Sequence, residues 1–273
     1  MRLSARTVSS AAAAFIYLAS QTNGAAGAPV EYRFAATWAD LPVADIFLTL
    51  DDDGDSYRTA IDIRSLGLMK LLTKFGAHGA AEGEFTADGN IMPTRYDADY
   101  KLRKKRNRQN LLYVKASGGT TAERGPADTS TKPPIDMAFR RNVVDPLAAL
   151  AALRERVRRH VLAAGDDFTI SAYDDKRRFD INGRLLGPED LDLNGTKVKA
   201  LHFRLLLTPL AGFRSAAEEG EDIENKPRPV ELYLSDDARL VPLQLSLSVF
   251  YLPAVTRLVG RCTEMAPCII HPF

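Results

Sequence analysis

Cysteine and tryptophan are scarce in this sequence, and neither sign of charge is in excess. Among 273 residues there are two cysteines and one tryptophan, and 36 basic residues stand against 35 acidic ones, which gives a net charge of +1. A nucleic-acid-binding protein usually carries a clear basic excess, so this balance argues against that class. No segment beyond the N-terminal region is apolar over the ~20 residues that a membrane-spanning helix needs. We therefore expect no nucleic-acid partner and no transmembrane segment in the mature chain.

Motifs for catalysis, cofactors and metals are missing as well. The sequence has no Gly-x-Ser-x-Gly nucleophile elbow and no glycine-rich loop for phosphate. Residues 51–55 (DDDGD) superficially resemble a calcium loop, but an EF-hand needs flanking helices and a distal Glu, so a hairpin turn is favoured. The four histidines, which lack the spacing of metal ligands, are His78, His160, His202 and His271. The sequence therefore predicts no metal, no cofactor and no enzymatic activity.

The N-terminal residues have the three parts of a secretory signal peptide. Arg2 and Arg6 supply the positive start, residues 11–19 an apolar stretch, and residues 24–28 the small side chains of a cleavage site. The apolar stretch is too short to span a bilayer, which disfavours a membrane anchor. We predict cleavage after Ala26, because a cut two residues later would be followed by a proline.

Cleavage at that point divides the chain into a signal peptide, residues 1–26, and one exported domain, residues 27–273. The location we expect is the periplasm, an oxidising compartment in which cysteines form disulfides. The two cysteines are Cys262 and Cys268, and an even count in an exported chain favours a bond between them. Such a bond would close a small loop and fix the C-terminal tail. A metal or redox role is the alternative, but it lacks further ligands nearby.

Alternation of apolar and polar residues dominates the rest of the sequence. A period of two is the pattern of strands with one buried and one wetter face. Asp-Gly and Asn-Gly sequences separate the alternating runs and favour tight hairpins, because they tolerate positive φ. The predicted fold class is all-β and mainly antiparallel, with a strongly curved sheet or a barrel-like meander. The clearest alternating sets are residues 57–63, 201–207 and 241–249, and the turns are 51–55, 88–90, 182–183 and 194–195.

One amphipathic helix interrupts this pattern. Asp145 is a good N-cap and Pro146 a good first helical residue. Apolar residues follow at helical spacing as far as Val161, and Gly165 ends the pattern. We expect this helix to pack on the sheet or to close one end of it. The two surface loops that composition predicts are residues 117–134 and 216–229.

Five short motifs occur in a fixed order along the chain. They are residues 38–45 (WADLPVAD), 65–68 (SLGL), 89–96 (GNIMPTRY), 145–147 (DPL) and 232–237 (LYLSDD). In this order they resemble the exported bacterial domain of unknown function family 3108, and the resemblance covers residues 31–258. That family has no established activity. The resemblance therefore implies an envelope location and a β fold, but no reaction.

The densest cluster of charge is the basic run at residues 101–108 (KLRKKRNR). As a strand or hairpin, the run is expected to place Lys101, Arg103 and Lys105 on one side and the other cations opposite them. Guanidinium groups pair bidentately with phosphates, so such a cluster suits lipid A or anionic head groups. The candidate contact residues are Lys101, Arg103, Lys105 and Arg106. The alternative is a solvated hairpin whose charges discourage aggregation.

Three functions follow from these features. A barrel of about eight or more strands can hold a small ligand, and the aliphatic residues expected to face inward would suit a lipid, unless they and the helix simply fill the barrel. An adaptor protein would instead use an exposed apolar patch or a strand edge to bind an envelope protein. A hydrolase ranks last, because it needs clustered ionisable groups in a cleft. We predict a non-enzymatic envelope protein that binds a lipid-like molecule or an envelope polymer and supports envelope integrity.

Overall fold

Thirteen β-strands and two short α-helices make up the part of the chain that the computed structural model describes, residues 29–116, 118–213, 226–249 and 251–262. The predicted signal peptide and Cys268 lie outside these residues, so export and the disulfide stay predictions. Within them, no helix is long and apolar enough to cross a membrane. The strands are β1 (Val30–Trp38), β2 (Leu41–Asp53), β3 (Ser56–Ser65), β4 (Gly76–Phe85), β5 (Ile91–Leu102), β6 (Lys105–Ala116), β7 (Gly119–Arg124), β8 (Asp167–Tyr173), β9 (Arg178–Leu193), β10 (Thr196–Ala211), β11 (Arg228–Ser235), β12 (Pro242–Val249) and β13 (Leu252–Arg261). The helices are α1 (Gly67–Thr73) and α2 (Pro146–Arg158), and a short 3-10 helix spans Met137–Arg140.

All thirteen strands belong to one antiparallel sheet, in the order β7-β6-β5-β4-β3-β2-β1-β13-β12-β11-β10-β9-β8. Most neighbours in the sheet are also neighbours in the sequence, as in a meander. The first and last strands, β1 and β13, pair with each other. The two edges are therefore β7 and β8, which follow each other in the sequence. The sheet curves into a nearly closed barrel, which confirms the predicted fold class.

A short extended segment lies between the two edge strands and joins them. The Asn142 N–H donates to the carbonyl of Thr120 in β7 at 2.8 Å. Further along, the Val144 N–H donates to the carbonyl of Ser171 in β8 at 2.9 Å, and the Tyr173 N–H donates to the carbonyl of Val144 at 2.8 Å. The segment therefore uses backbone groups of both edges, and covered edges protect a sheet from pairing with other chains.

The edge strand β7 lies where composition predicts a loop. Gly119–Arg124 pair with β6 in antiparallel register, although residues 117–134 are rich in Gly, Thr and Pro. Ala122 is fully buried, so tertiary packing overrides the low strand propensity of this sequence. The second predicted loop, residues 216–229, lies largely outside the described residues, and β11 begins inside it at Arg228.

Three of the four predicted turns connect strands. Residues 54–55 join β2 to β3, residues 86–90 join β4 to β5, and residues 194–195 join β9 to β10. The prediction at Asn182-Gly183 is wrong, because both residues lie inside β9. A Cβ atom at Gly183 would lie 2.4 Å from the ring of Phe168. The glycine is therefore needed for close packing between strands rather than for a turn.

Helix α2 packs against the inner side of the sheet. Asp145 caps its N-terminus, as predicted, and the helix ends at Arg158, before Val161. Of the predicted apolar seam, Leu153 is almost fully buried, whereas Leu147, Leu150 and Val157 are only partly buried. The alanines beside the seam are fully or almost fully buried. These residues contribute to separate core clusters, with β8–β11 on one side and with β3–β6 on the other. The helix thus fills part of the barrel rather than covering it from outside.

The C-terminal half of α2 is anchored by a buried arginine. The Arg154 side chain is 4 % exposed and lies 2.9 Å from a carboxylate oxygen of Asp52 in β2. It also donates to the carbonyls of Arg239 and Leu240, at 2.8 and 3.2 Å. Burial lowers the pKa of Arg154, and the nearby Asp52 opposes that shift. The charge is therefore compensated on several sides, as a buried charge must be.

A second buried ion pair connects the two edge strands, β7 and β8, at the end of the barrel where the cavity lies. Arg124 is the last residue of β7, and its Nε lies 2.5 Å from Oδ1 of Asp175, in the turn after β8. Asp175 is fully buried. Its other carboxylate oxygen accepts a hydrogen bond from Ser130 at 3.0 Å, and its carbonyl accepts one from the Tyr173 hydroxyl at 2.7 Å.

Arg124→Ala is expected to lower the free energy of unfolding by about 3 kcal/mol, because it leaves the buried Asp175 carboxylate without its cation. The matched control is Arg184→Ala, which removes the exposed pair with Asp167, where the side chains are 54% and 69% exposed. We expect that change to cost less than about 1 kcal/mol. Urea denaturation of the three proteins measures both values. Equal losses in the two variants would contradict the role of Arg124 in joining the edges.

Candidate ligand cavity

A cavity occupies the end of the barrel that α2 leaves open. Pro146, at the start of α2, lines this cavity, whereas Arg159 beyond its end donates to the carbonyl of Ala87 in the β4–β5 turn, at the opposite end. The helix therefore fills one half of the interior and forms the floor of the other half. The cavity has a volume of about 920 Å³, within the usual range of small-molecule sites.

One wall of the cavity is apolar. Inward-facing positions of β3, β4 and β5 supply it, together with the β3–β4 connection and the loop after β7. The predicted alternation of residues 57–63 is confirmed, since its inner face supplies two members of this wall. Its apolar residues are Ile61, Ile63, Phe75, Ala77, Ala98 and Ile135.

Polar side chains from three elements face the same cavity. The Lys176 Nζ donates to the Tyr100 hydroxyl at 2.6 Å and lies 5.2 Å from the centre of that ring. In the described part of the chain, Lys176 makes no ion pair. Gln109 is 6 % exposed and has no hydrogen-bond partner for its side chain among the described residues. Asn107 lies next to it along β6. These groups leave donors and acceptors for a ligand.

The carboxylates at the cavity are already paired with arginines. The Arg177 guanidinium donates to one oxygen of Asp174 at 3.0 and 2.7 Å, and Asp175 pairs with Arg124 as described. A general acid or base needs a carboxylate that can exchange its proton with a substrate. Asp174 and Asp175 are instead held as acceptors for the two guanidinium groups. Among the described residues, no group of three His, Cys, Asp or Glu side chains lies close enough to hold a metal.

A buried carboxylate lies beneath the cavity floor. Oδ1 of Asp145 accepts hydrogen bonds from the N–H groups of Leu147 and Ala148 at 3.0 and 2.8 Å. The Tyr113 hydroxyl donates to Oδ2 at 3.4 Å. Burial raises the pKa of Asp145 to about 7, although these hydrogen bonds act in the other direction. The carboxyl group therefore titrates near neutral pH.

The predicted basic cluster lies on the β5–β6 hairpin, beside the cavity rather than inside it. The alternation expected for this run is wrong. Lys101 is paired with Arg106, and Leu102 with Lys105. The chain reverses at Arg103, whose φ is +57°, and directly opposite residues on paired strands share a face. Lys101 and Arg106 thus share one face, and Lys105 lies on the other.

Arg106 already has a carboxylate partner. Its guanidinium donates to both oxygens of Asp99, at 2.8 and 2.7 Å, and Arg108 adds a contact at 3.2 Å. The hydrogen bond from Arg106 lowers the pKa of Asp99. Lys101, Arg103 and Lys105 make no ion pair within the described ranges. The anionic contact predicted for these four residues stays a prediction, and Arg106 is its weakest member.

Apart from Ile61 and Ile63, sequence reasoning missed the residues that line the cavity. The inward alternation of Tyr96, Ala98 and Tyr100 was available as a signal, and so was that of Asn107 and Gln109. No sequence signal places Lys176 against Tyr100, because the two are separated by 76 positions. Their contact depends on the closure of the sheet.

The chain is similar to known proteins over most of the barrel and not at the cavity alone. A family model described as "Protein of unknown function (DUF3108)" matches residues 33–258. The chain is also similar to a solved β-barrel-like protein of domain of unknown function DUF1849 from Brucella abortus, with a TM-score of 0.54 and 9% identity over 85% of this chain and 96% of that one. At this identity the likeness concerns the fold alone. A DUF1089 family protein from Pseudomonas aeruginosa matches with a TM-score of 0.33 and 11% identity, over 72% and 87% of the two chains. No curated protein matches.

Asp145→Asn tests the buried titration beneath the cavity. The amide oxygen can accept the same two N–H groups, so the helix cap is kept while the charge is removed. In the wild type the pKa rises from 3.8 to about 7 on folding, so between these values the folded state binds a proton that the unfolded state has released. The free energy of unfolding of the wild type, relative to the Asn variant, is therefore expected to fall as pH rises through this range.

Chemical denaturation of both proteins across this pH range measures the difference. Groups other than Asp145 titrate in both proteins and cancel. A difference that does not change with pH would contradict the account. Asp145→Ala serves as the control for the cap: relative to the Asn variant, we expect it to cost about 1 kcal/mol at every pH.

Proposed function

The chain belongs to the DUF3108 family of proteins of unknown function, and we propose that it is a non-enzymatic envelope protein that binds a lipid-like molecule in the open half of its barrel. The observation that carries this proposal is the cavity of about 920 Å³ with an apolar wall and the cation of Lys176. An anionic amphiphile matches both features, because its chain would cover the aliphatic wall and its head group would pair with the ammonium group.

The open half of the barrel differs from a packed hydrophobic core. Packed protein interiors have few voids larger than a water molecule, and the alanines of α2 are packed in this way, since they are fully or almost fully buried. The open half keeps Gln109 buried without a side-chain partner among the described residues. Gln109 lines the cavity, so its amide donors and acceptor stay available to a ligand.

Location in the envelope is part of the proposal and rests on the N-terminal sequence. The positive start, the apolar stretch and the small residues before Ala26 have the pattern of a signal peptide. A carrier in the periplasm would give an amphiphile a water-free site between two membranes. Support of envelope integrity follows if that amphiphile is a membrane component.

The lack of enzymatic activity is likewise proposed from the arrangement of charges. Asp174 and Asp175 are held by Arg177 and Arg124, and the buried Asp145 is occupied with capping α2. Asp174 and Asp175 reach the cavity but are paired with arginines, and Asp145 is buried as the cap of α2. Each of the three carboxylates is therefore already engaged. Turnover of a bound ester or glycoside is therefore not expected.

The adaptor function is less well supported by the edges of the sheet. An adaptor that recruits a partner strand needs an edge with unpaired backbone groups. Here the segment through Asn142 and Val144 covers both β7 and β8. A protein partner would therefore have to bind side chains on the outer surface.

Lys176→Gln tests how the cavity would hold an anionic head group. The probe is dansyl-undecanoic acid, a fluorescent fatty acid, and its methyl ester serves as the uncharged counterpart. The loss of one charge-assisted hydrogen bond should weaken binding of the acid roughly tenfold and leave the ester unaffected. The control is Lys197→Gln on β10, where an exposed lysine is changed far from the cavity. Equal binding of the acid to wild type and Lys176→Gln would contradict the head-group contact.

Ala98→Phe tests whether the probe lies in the cavity at all. Ala98 lines the apolar wall, so a larger side chain should fill the space and lower the affinity for both the acid and the ester at least roughly tenfold. The control is Ala80→Phe on β4, whose side chain is outside the cavity lining. Fluorescence titration measures all affinities. Unchanged binding in Ala98→Phe would place the probe elsewhere and reject the cavity as the site.

A further inference from the structure

Helix α1 carries exposed leucines at the open end of the barrel. It connects β3 to β4 and contains no buried residue. Leu68, Leu71 and Leu72 are 66%, 76% and 57% exposed. Positions three and four apart share one face of a helix, so the three side chains form a single apolar surface. An exposed apolar group of this kind marks an interaction site.

The neighbouring β5–β6 hairpin extends this surface. Leu102, at the end of β5, is 47% exposed. The Arg103 N–H donates to the carbonyl of Thr73 at 2.7 Å, and the Arg103 side chain donates to the carbonyl of Leu72 at 3.4 Å. The hairpin and α1 are therefore fixed to each other. Four exposed leucines therefore lie on two elements that are joined at this end of the barrel.

Cations surround these leucines, and acids are missing from both segments. Residues 66–76 and 100–106 contain no Asp or Glu. The exposed cations are Lys70, Lys74, Lys101, Arg103, Lys104 and Lys105. None of the six makes an ion pair in the part of the chain that the structure describes. The charge of this end is therefore uncompensated, in contrast to that of Arg106 and Arg108, which pair with Asp99.

We propose that this end of the molecule docks on a lipid surface that carries anionic head groups. We name these four leucines and six cations the docking surface. Leucines surrounded by lysines and arginines match the boundary of such a membrane, where apolar side chains enter the acyl region and cations meet phosphates. The four-carbon stem of lysine lets its charge stay at the head groups while Leu71 and Leu72 lie deeper.

The positive charge and the shape of the docking surface argue against a second copy of this chain and against an acidic helix as its partner. A second copy of the chain, related by a two-fold axis, would bring the same cations against each other. An acidic helix would need a groove to receive its apolar face, whereas the leucines of α1 stand exposed on a helix without a buried residue. An anionic membrane requires neither a groove nor a complementary fold.

The docking surface borders the entrance to the cavity. Phe75 lies two residues after the end of α1 and Tyr100 lies near the end of β5, and both line the cavity. A protein docked in this orientation would have its open end facing the lipid. Docking itself does not depend on the proposed ligand, because none of the leucines or cations of the docking surface lines the cavity.

Vesicle co-sedimentation tests the proposal with the exported form of the chain, purified after expression of the full sequence. The vesicles contain either phosphatidylcholine alone or equal parts of phosphatidylcholine and phosphatidylglycerol. We expect binding only to the second kind, with affinity that falls as salt is added, because exposed charges are screened. Leu71→Gln/Leu72→Gln and Lys70→Glu/Lys104→Glu should each lower the partition coefficient at least roughly tenfold.

Matched double variants elsewhere on the surface are the controls. Leu186→Gln/Leu206→Gln changes leucines that are 39% and 41% exposed on β9 and β10, and Lys115→Glu/Lys197→Glu changes exposed lysines of β6 and β10. Both controls should bind vesicles like the wild type. The proposal would be overturned if the wild type did not bind the anionic vesicles. It would also be overturned if the control variants lost as much binding as the docking variants.

The two proposals can fail separately. Ala98→Phe, which fills the cavity, should still bind vesicles, and Lys70→Glu/Lys104→Glu should still bind dansyl-undecanoic acid in the absence of vesicles. Thermal unfolding of each docking variant should match the wild type, since none of the changed side chains is buried. A variant that keeps its melting temperature but loses vesicle binding has lost a surface contact and not the fold.

Discussion

Packing of α2 against the inner face of the sheet is the interaction on which the rest of the structure depends. A barrel of about eight strands is filled by its own side chains, and a wider one encloses unfilled space. This sheet has thirteen strands, so a helix inside it supplies the missing core. Small residues such as Ala148 and Ala152 let the helix approach the strands closely, while Leu153 fills the space towards β8–β11.

The position of α2 is set by polar groups at both of its ends. Asp145 satisfies two N–H groups at the N-terminus and is buried by doing so, and Arg154 ties the C-terminal half to Asp52 and to two carbonyls. The segment that leads into Asp145 also joins β7 to β8. The same segment of the chain therefore closes the barrel and sets the start of α2. What remains unfilled is the end beyond Pro146, where Lys176 lies with its charge unpaired among the described residues.

Local patterns predicted the class of fold, and long-range contacts explain what they missed. Alternation from Tyr57 to Ile63 marks an inner face, and Asp145-Pro146 marks the helix start, because both signals depend on neighbours in sequence. Leu243 breaks its alternating set: a bulge opposite Tyr233/Leu234 sends it to pack with Leu191 and Ala200. No local signal reports this bulge, because it is defined only by the pairing of β12 with β11. The cavity likewise depends on contacts between distant strands.

The native mass of the exported chain tests the central claim, that the open half of the barrel holds an amphiphile, most directly. The protein would be recovered from the periplasm of its expression host and its mass recorded under non-denaturing conditions. We predict a reproducible extra mass that solvent extraction releases as a lipid, and that Ala98→Phe reduces. A bare mass for the wild type, together with no uptake of added fatty acid, would contradict the claim.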